Sequence, residues 1–184
     1  LVARGERTGS IPKILSDAKK ADIPVKEVDR KKLDFMCGHG NHQGIVAVGA
    51  VKAYSTVDDI FAYAEEKGKA PFISVCDEIE DPHNLGSIIR VCECAGADGL
   101  VIGKHRSASV TDTVMRISEG SANHVRIAKV TNINQAIDAL KENGIWTYAL
   151  ELGGGDIYKS DLKGKTALVV GGEDSGVNKL TLKK

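Results

Sequence analysis

Aromatic residues make up only 4% of the 184-residue chain, too few for a sheet face on which nucleic-acid bases stack. Net charge is missing too. Twenty-five Lys and Arg balance 25 Asp and Glu, so the chain as a whole has no general attraction to a polyanion. No apolar run reaches the ~18 residues of a membrane-spanning helix, and no signal peptide opens the chain. The four cysteines, Cys37, Cys76, Cys92 and Cys94, form no C-x-x-C pair. A chain of this length has core enough without disulfides, so they read as reduced thiols of a cytoplasmic protein. Metal-ligand spacing is absent: His39 and His42 flank a glycine-rich turn, and His83, His105 and His124 are scattered. No metal site is expected from that pattern, and no G-x-S-x-G elbow marks a serine nucleophile.

What is present is a globular composition, 42% hydrophobic and 27% charged, with room for one average domain or two small ones. Residues 1–50 read as a small β-α-β-like unit. Ser10 is a plausible N-cap for a helix over 11–21. PVKEV is a short strand, 31–36 a short helix, and IVAVGAV a near-continuous apolar run of the kind a buried strand shows. A connector over 51–55 follows. Beyond it, strands and helices alternate strictly: a helix over 56–67 capped by Thr56, then FISVCD, a helix over 85–95, GLVIG, a helix over 112–119, VRIAKV, a helix over 134–142, IWTYAL and ALVVG. That alternation predicts an α/β fold with a parallel sheet covered on both faces. Charge divides unevenly. Residues 1–53 carry ten basic against six acidic groups, and residues 70–184 thirteen against fifteen. The first unit is therefore the one suited to phosphates.

Three segments could carry chemistry. In DEIEDPHNLGSIIRVCECAGADG (77–99), Asn84 stands where an N-cap belongs. Leu85, Ile88, Ile89 and Cys92 form one core-facing stripe. Gly86 and Arg90 lie four apart on another face, so Arg90 should look outward beside a residue with no side chain. A glycine early in a helix costs stability unless something must approach closely. On spacing alone, Asn84 reads first as a plain helix cap and Arg90 as a solvated surface cation. In LVVGGEDSGV (168–177) a buried strand runs into glycines and an acid, at the sheet end where open α/β folds hold ligands. Neither a phosphate loop nor a dinucleotide fingerprint fits. LKGKT has Lys159 where the loop's first glycine belongs, and Gly153 and Gly155 are followed by Tyr158. The third segment, Lys104-His105-Arg106-Ser107-Ala108, also lies at a strand's carboxyl end and reads either as a phosphate contact or as a solvated loop.

DPHNLGSIIRVCECAGADGLVI resembles the first motif of the SpoU, or TrmH-type, branch of the SPOUT RNA ribose methyltransferases. GKHRSASVTDTVMRISEGSANHVRIAKVTN is similar to the segment after it, and ALVVGGEDSGV resembles the second motif. GNHQGIVAV looks like the end of the RNA-binding domain of the ribosomal-RNA guanosine 2′-O-methyltransferases. The resemblance covers nearly the whole chain. It implies an L30e-like RNA-substrate-binding domain (1–50), a linker (51–55) and a SPOUT domain (56–184) with a parallel sheet and a C-terminal trefoil knot, an exception to the rule against knotted chains. It implies S-adenosylmethionine as methyl donor, a ribose 2′-hydroxyl as acceptor, the RNA being that of the large ribosomal subunit, and a homodimer. Asn84 and Arg90 match the first motif's polar pair and Glu173 the second motif's acid. Gly171, Gly172 and Leu150 match cofactor-contacting positions. The chain departs from the pattern in two ways. Asp174 and Ser175 follow the acid where the motif is richer in glycine. The family's later Ile-Pro-Met and Ser-Leu-Asn segments are not in the chain, so the knot motif is incomplete and both ends read as cut.

Family accounts give the first-motif arginine as a base, but a guanidinium essentially never deprotonates in a protein. The residue's other possible work is to grip an RNA phosphate and stabilise the forming alkoxide. Asn84 would orient Arg90 or the ribose, and Glu173 would pin a cation or an amide nearby. Two other classes fit the pattern less fully: a non-catalytic RNA-binding relative, and a nucleotide- or NAD-binding α/β enzyme.

Overall fold

The computed structural model describes residues 1–38, 40–49 and 53–184. His39, and the first two residues of the expected connector, lie outside them. Contacts divide the chain into two units, Leu1–Ala50 and Val51–Lys184.

In the first unit, β1 (Val2–Ala3) and β2 (Glu27–Val28) pair in parallel across α1 (Ile11–Lys20), and α2 (Arg30–Met36) follows. Ser10 occupies the N-cap position of α1, yet its side chain makes no capping bond. Asp29 does cap α2, accepting from the Lys31 N–H at 2.9 Å. Ala3, Val28 and Leu33 form the small core. The run IVAVGAV is not a buried strand. Ile45 bridges antiparallel to Val2, and Leu1 and Val46 exchange backbone hydrogen bonds of 2.7 and 2.9 Å. Val48 is 73% exposed, and residues 50–51 are outside the described set. The reason is size: β1 and β2 are two residues each and cannot cover both faces of an added strand. The turn before it is held by His42, whose ring is 3% exposed. Its Nδ1 accepts from the Gly44 N–H at 3.0 Å and its Nε2 stands 2.9 Å from Asp34 Oδ1.

The second unit holds a five-stranded, all-parallel sheet in the order β5-β4-β3-β7-β6. Its strands are β3 (Phe72–Asp77), β4 (Gly99–Gly103), β5 (Arg126–Val130), β6 (Trp146–Leu150) and β7 (Thr166–Gly171). Its helices are α3 (Val57–Glu66), α4 (Pro82–Cys94), α5 (Asp112–Ile117) and α6 (Ile133–Glu142). Both faces are covered, and side-chain alternation splits the core accordingly. Cys76, Leu100, Ile102 and Ile127 pack with Leu85 and Ile89 of α4 and Val114 of α5. Ile73, Val75, Val101 and Ala128 pack with Ile60 of α3 and Ile137 and Leu140 of α6.

Local chemistry sets the helix ends. Thr56 and Asp59 form a reciprocal capping box on α3, and the hydrogen bonds from Thr56 hold the Asp59 carboxyl below its ordinary range. Asn132 caps α6 through the Asn134 and Gln135 N–H groups. Among the described residues, no helix is long and apolar enough to cross a membrane.

Candidate active site

Parallel pairing aligns the ends of β3 and β7, with Asp77 opposite Gly171. That register brings the first and second sequence motifs, about ninety residues apart, together at the carboxyl end of the sheet. Helix α4 starts three residues earlier than its apolar stripe suggests. Its N-cap is Asp81, accepting from the His83 N–H at 2.8 Å, and Pro82 opens the helix, where a missing N–H costs nothing. Asn84 is therefore not the cap. Freed from that task, its Nδ2 donates to Glu173 Oε2 at 3.0 Å. A carboxylate can only accept, so the amide nitrogen faces Glu173 and Oδ1 is left as an acceptor.

The turn that carries Glu173 is held from three sides. Within it, the Gly176 N–H donates to Gly172 O at 2.9 Å. From β6, the Glu151 carboxylate accepts the Val177 N–H at 2.5 Å, a charge-assisted bond of the strong kind. From β3, Asp77 accepts the Asn178 N–H at 2.9 Å and Glu78 accepts from Asn178 Nδ2 at 3.1 Å. Gly176 has φ +63°, and a Cβ there would lie 2.6 Å from Glu151 Oε1. The position thus demands glycine twice, for its backbone angle and for its neighbour. Glu151 had no signal in the sequence: a lone acid after a strand gains meaning only when β6 is seen beside β7. Gly171 is tighter still. The close approach its glycine permits is that of the chain's own backbone at Gly176 and Val177, 2.0 and 2.1 Å from an added Cβ.

Arg90 does not join Asn84 and Glu173. Its Nη1 pairs with Glu119 Oε1 at 3.0 Å, with both side chains well exposed. Gly86, expected beside it on an open face, is buried. An added Cβ would sit 2.7 Å from Ile117 Cβ and 3.3 Å from the Ser118 nitrogen. So α5, not a ligand, makes the close approach. Gly86→Ala gains about 1 kcal/mol of helix propensity but overpacks the α4–α5 contact at a cost of about 1–3 kcal/mol. The branched Cβ of Ile117 is anchored to backbone and cannot swing away. Thermal unfolding should therefore begin a few degrees lower, and a raised midpoint would contradict this packing.

Two concavities open at the carboxyl ends of the strands. One, of about 550 Å³, is lined by Tyr148, Leu150, Glu151, Gly154, Ile157 and Leu162 among others. That volume and its mix of apolar side chains with backbone groups suit a nucleoside-sized cofactor. Leu150 lines it; Gly171 and Gly172 do not. The second, of about 310 Å³, is polar and includes Asp77, Glu78, His105, Arg106, Asn132 and Asn178. Of the third sequence segment, then, His105 and Arg106 face a cleft, and Arg106 is paired with Glu78 at 3.0 Å. Cys76, near this edge, is no nucleophile: burial pushes its thiol far up, with Cys92 and Asp77 adding to the effect. Burial raises Cys92 as well. Among the described residues, no group of three or more His, Cys, Asp and Glu side chains could hold a metal ion.

Comparison with known proteins matches residues 71–184 to the SpoU rRNA Methylase family. Residues 1–57 match the model described as RNA 2′-O ribose methyltransferase substrate binding. A putative TrmH family tRNA/rRNA methyltransferase of Bacillus subtilis, YacO, is 40% identical over 177 residues, 96% of this chain and 71% of that protein. A putative TrmH family tRNA/rRNA methyltransferase of Staphylococcus aureus is 36% identical over 185 residues, covering 100% of this chain and 74% of that protein. Among solved structures, the AdoMet-bound rRNA methyltransferase from Sinorhizobium meliloti superposes with a TM-score of 0.74 over 95% of this chain and 65% of that one, at 21% identity. The last likeness is one of fold.

Proposed function

Because the chain belongs to the SpoU rRNA Methylase family, we propose that it methylates a ribose 2′-hydroxyl of RNA, a guanosine of large-subunit ribosomal RNA, with S-adenosylmethionine as donor. The observation that carries this reading is the Asn84–Glu173 hydrogen bond. It joins the polar residue of one motif to the acid of another where the strands end.

S-adenosylmethionine, when bound, supplies a methyl group made electrophilic by its sulfonium. Leu150 would pack against it in the 550 Å³ cavity, while Gly171 and Gly172, which do not line that cavity, hold the turn that carries Glu173. A ribose hydroxyl is a poor nucleophile until its proton is shared. Glu173 fixes the Asn84 amide so that Oδ1 can accept from that hydroxyl. Arg90 holds a phosphate of the RNA and stabilises the oxygen as it becomes alkoxide-like; the hydroxyl's proton passes to solvent water as the methyl group is transferred, since Arg90 accepts none. Residues 1–50 bind the RNA, which their excess of basic groups and the substrate-binding match support. Two subunits form the working enzyme, as the resemblance to the family implies.

The test is transfer of labelled methyl from S-adenosylmethionine to ribosomal RNA, followed by alkaline hydrolysis. A 2′-O-methyl blocks cleavage at its own phosphodiester, so label should appear in alkali-resistant dinucleotides. Label confined to mononucleotides would mean base methylation and overturn the ribose assignment. RNA binding with no transfer at all would favour a non-catalytic relative.

A further inference from the structure

We infer that Glu119 is a positioning residue for Arg90, an inference that rests on the catalytic reading of Arg90 above. Helix α5 ends against α4 at the one place where α4 has no side chain, Gly86. The turn that follows is held firmly. Ser118 is fully buried, its hydroxyl donates to Met115 O at 3.1 Å, and the Ser121 N–H returns to Ser118 O at 2.9 Å. Between these anchors the backbone turns left-handed at two successive residues, Glu119 (φ 51°) and Gly120 (φ 90°). Left-handed backbone is costly for any residue with a Cβ, and least so for Gly, Asn and Asp. A glycine serves at 120; at 119 the chain carries a glutamate instead. Such outliers cluster at active sites and ligand clamps, although the residue just past a helix C-cap, as Glu119 is to α5, also takes this backbone.

The aim is Arg90. Its Nη1 meets Glu119 Oε1 at 3.0 Å, the one ion pair of the Glu119 side chain among the described residues. The contact uses a single point of the guanidinium, which has five N–H donors in a planar fork. The remaining donors stay available, and the Arg90 side chain is 47% exposed. An arginine that must order itself on meeting RNA loses rotamer freedom at that moment. One held beforehand by a carboxylate on a rigid turn has less to lose. Charge acts in the opposite direction, since a carboxylate beside the guanidinium weakens its pull on phosphate. The two effects therefore predict opposite signs when Glu119 is removed, and the strain supports positioning.

Glu119→Gly separates this role from a structural one. Glycine relieves the left-handed backbone, so the melting temperature should hold or rise. The turnover number for methyl transfer to RNA should nonetheless fall about two- to fivefold, the range of a lost surface pair. KM for S-adenosylmethionine should not change. Glu119→Gln keeps an acceptor oxygen at the same reach and should recover most of the loss. In an Arg90→Ala background, Glu119→Gly should have no further effect. Unchanged or faster turnover in Glu119→Gly, or an equal loss without Arg90, overturns the inference while leaving Arg90's own role standing. Near-normal transfer by Arg90→Ala overturns both.

Discussion

Arg90→Ala lowers methyl transfer to RNA by about 10²–10³-fold, the range seen when one charge-stabilising donor is removed from an active site. The melting temperature moves by no more than about 3 °C. Both expectations come from the same geometry. Arg90 projects from α4 away from the stripe of Leu85, Ile89 and Cys92, which carries the packing. Its one ion pair among the described residues, with Glu119, is exposed on both sides, and such pairs contribute about 0–1 kcal/mol. The loss should fall in turnover more than in KM if the guanidinium meets charge that develops only during reaction. Arg90→Lys decides the mode. A two-pronged grip on phosphate is not rescued by lysine, whereas a point charge is rescued in part. A wild-type rate in Arg90→Ala would reduce the first motif to a capped helix.

Gly171→Ala acts on the fold first and the site second. The added methyl would lie 2.0 Å from the Gly176 carbonyl carbon and 2.1 Å from the Val177 nitrogen. Both are backbone atoms, and the turn they belong to is bound to Glu151, Asp77 and Glu78. Nothing can swing aside, so the cost is about 3 kcal/mol or more, a fall in melting temperature of roughly 6–12 °C for a chain of this size. Glu173 rides on the same turn, so methyl transfer should drop even at temperatures where the variant stays folded. Gly172→Ala is the control. Its nearest neighbours would be Glu78 O at 3.0 Å and the Ser175 hydroxyl at 3.1 Å, and the hydroxyl can rotate. Calorimetric unfolding of the two variants should differ by several degrees; equal midpoints would show that the turn is not anchored where β7 ends.

Much of the second unit was legible residue by residue. FISVCD and GLVIG are strands with the bounds that the apolar runs mark, because central parallel strands are buried on both faces and tolerate few polar positions. Thr56 capped its helix for a local reason, with donor and acceptor three residues apart. The same rules misled where the context was thin. IVAVGAV has the composition of a core strand, but the first unit has no second layer to bury it. Asn84 has the chemistry of a cap, but Asp81-Pro82 starts the helix earlier and releases it.

The sequence by itself determined the strand and helix order, the parallel sheet and the family, because each is written in short-range periodicity or in contiguous motifs. Tertiary structure alone decided the partners. Asn84 reaches Glu173 across 89 residues because β3 and β7 pair with Asp77 opposite Gly171. Glu151 grips Val177 because β6 is β7's other neighbour. Arg90 finds Glu119 because α5 docks on Gly86. Each contact depends on which strands or helices lie side by side, and a local pattern of hydrophobic and polar residues carries no record of that choice.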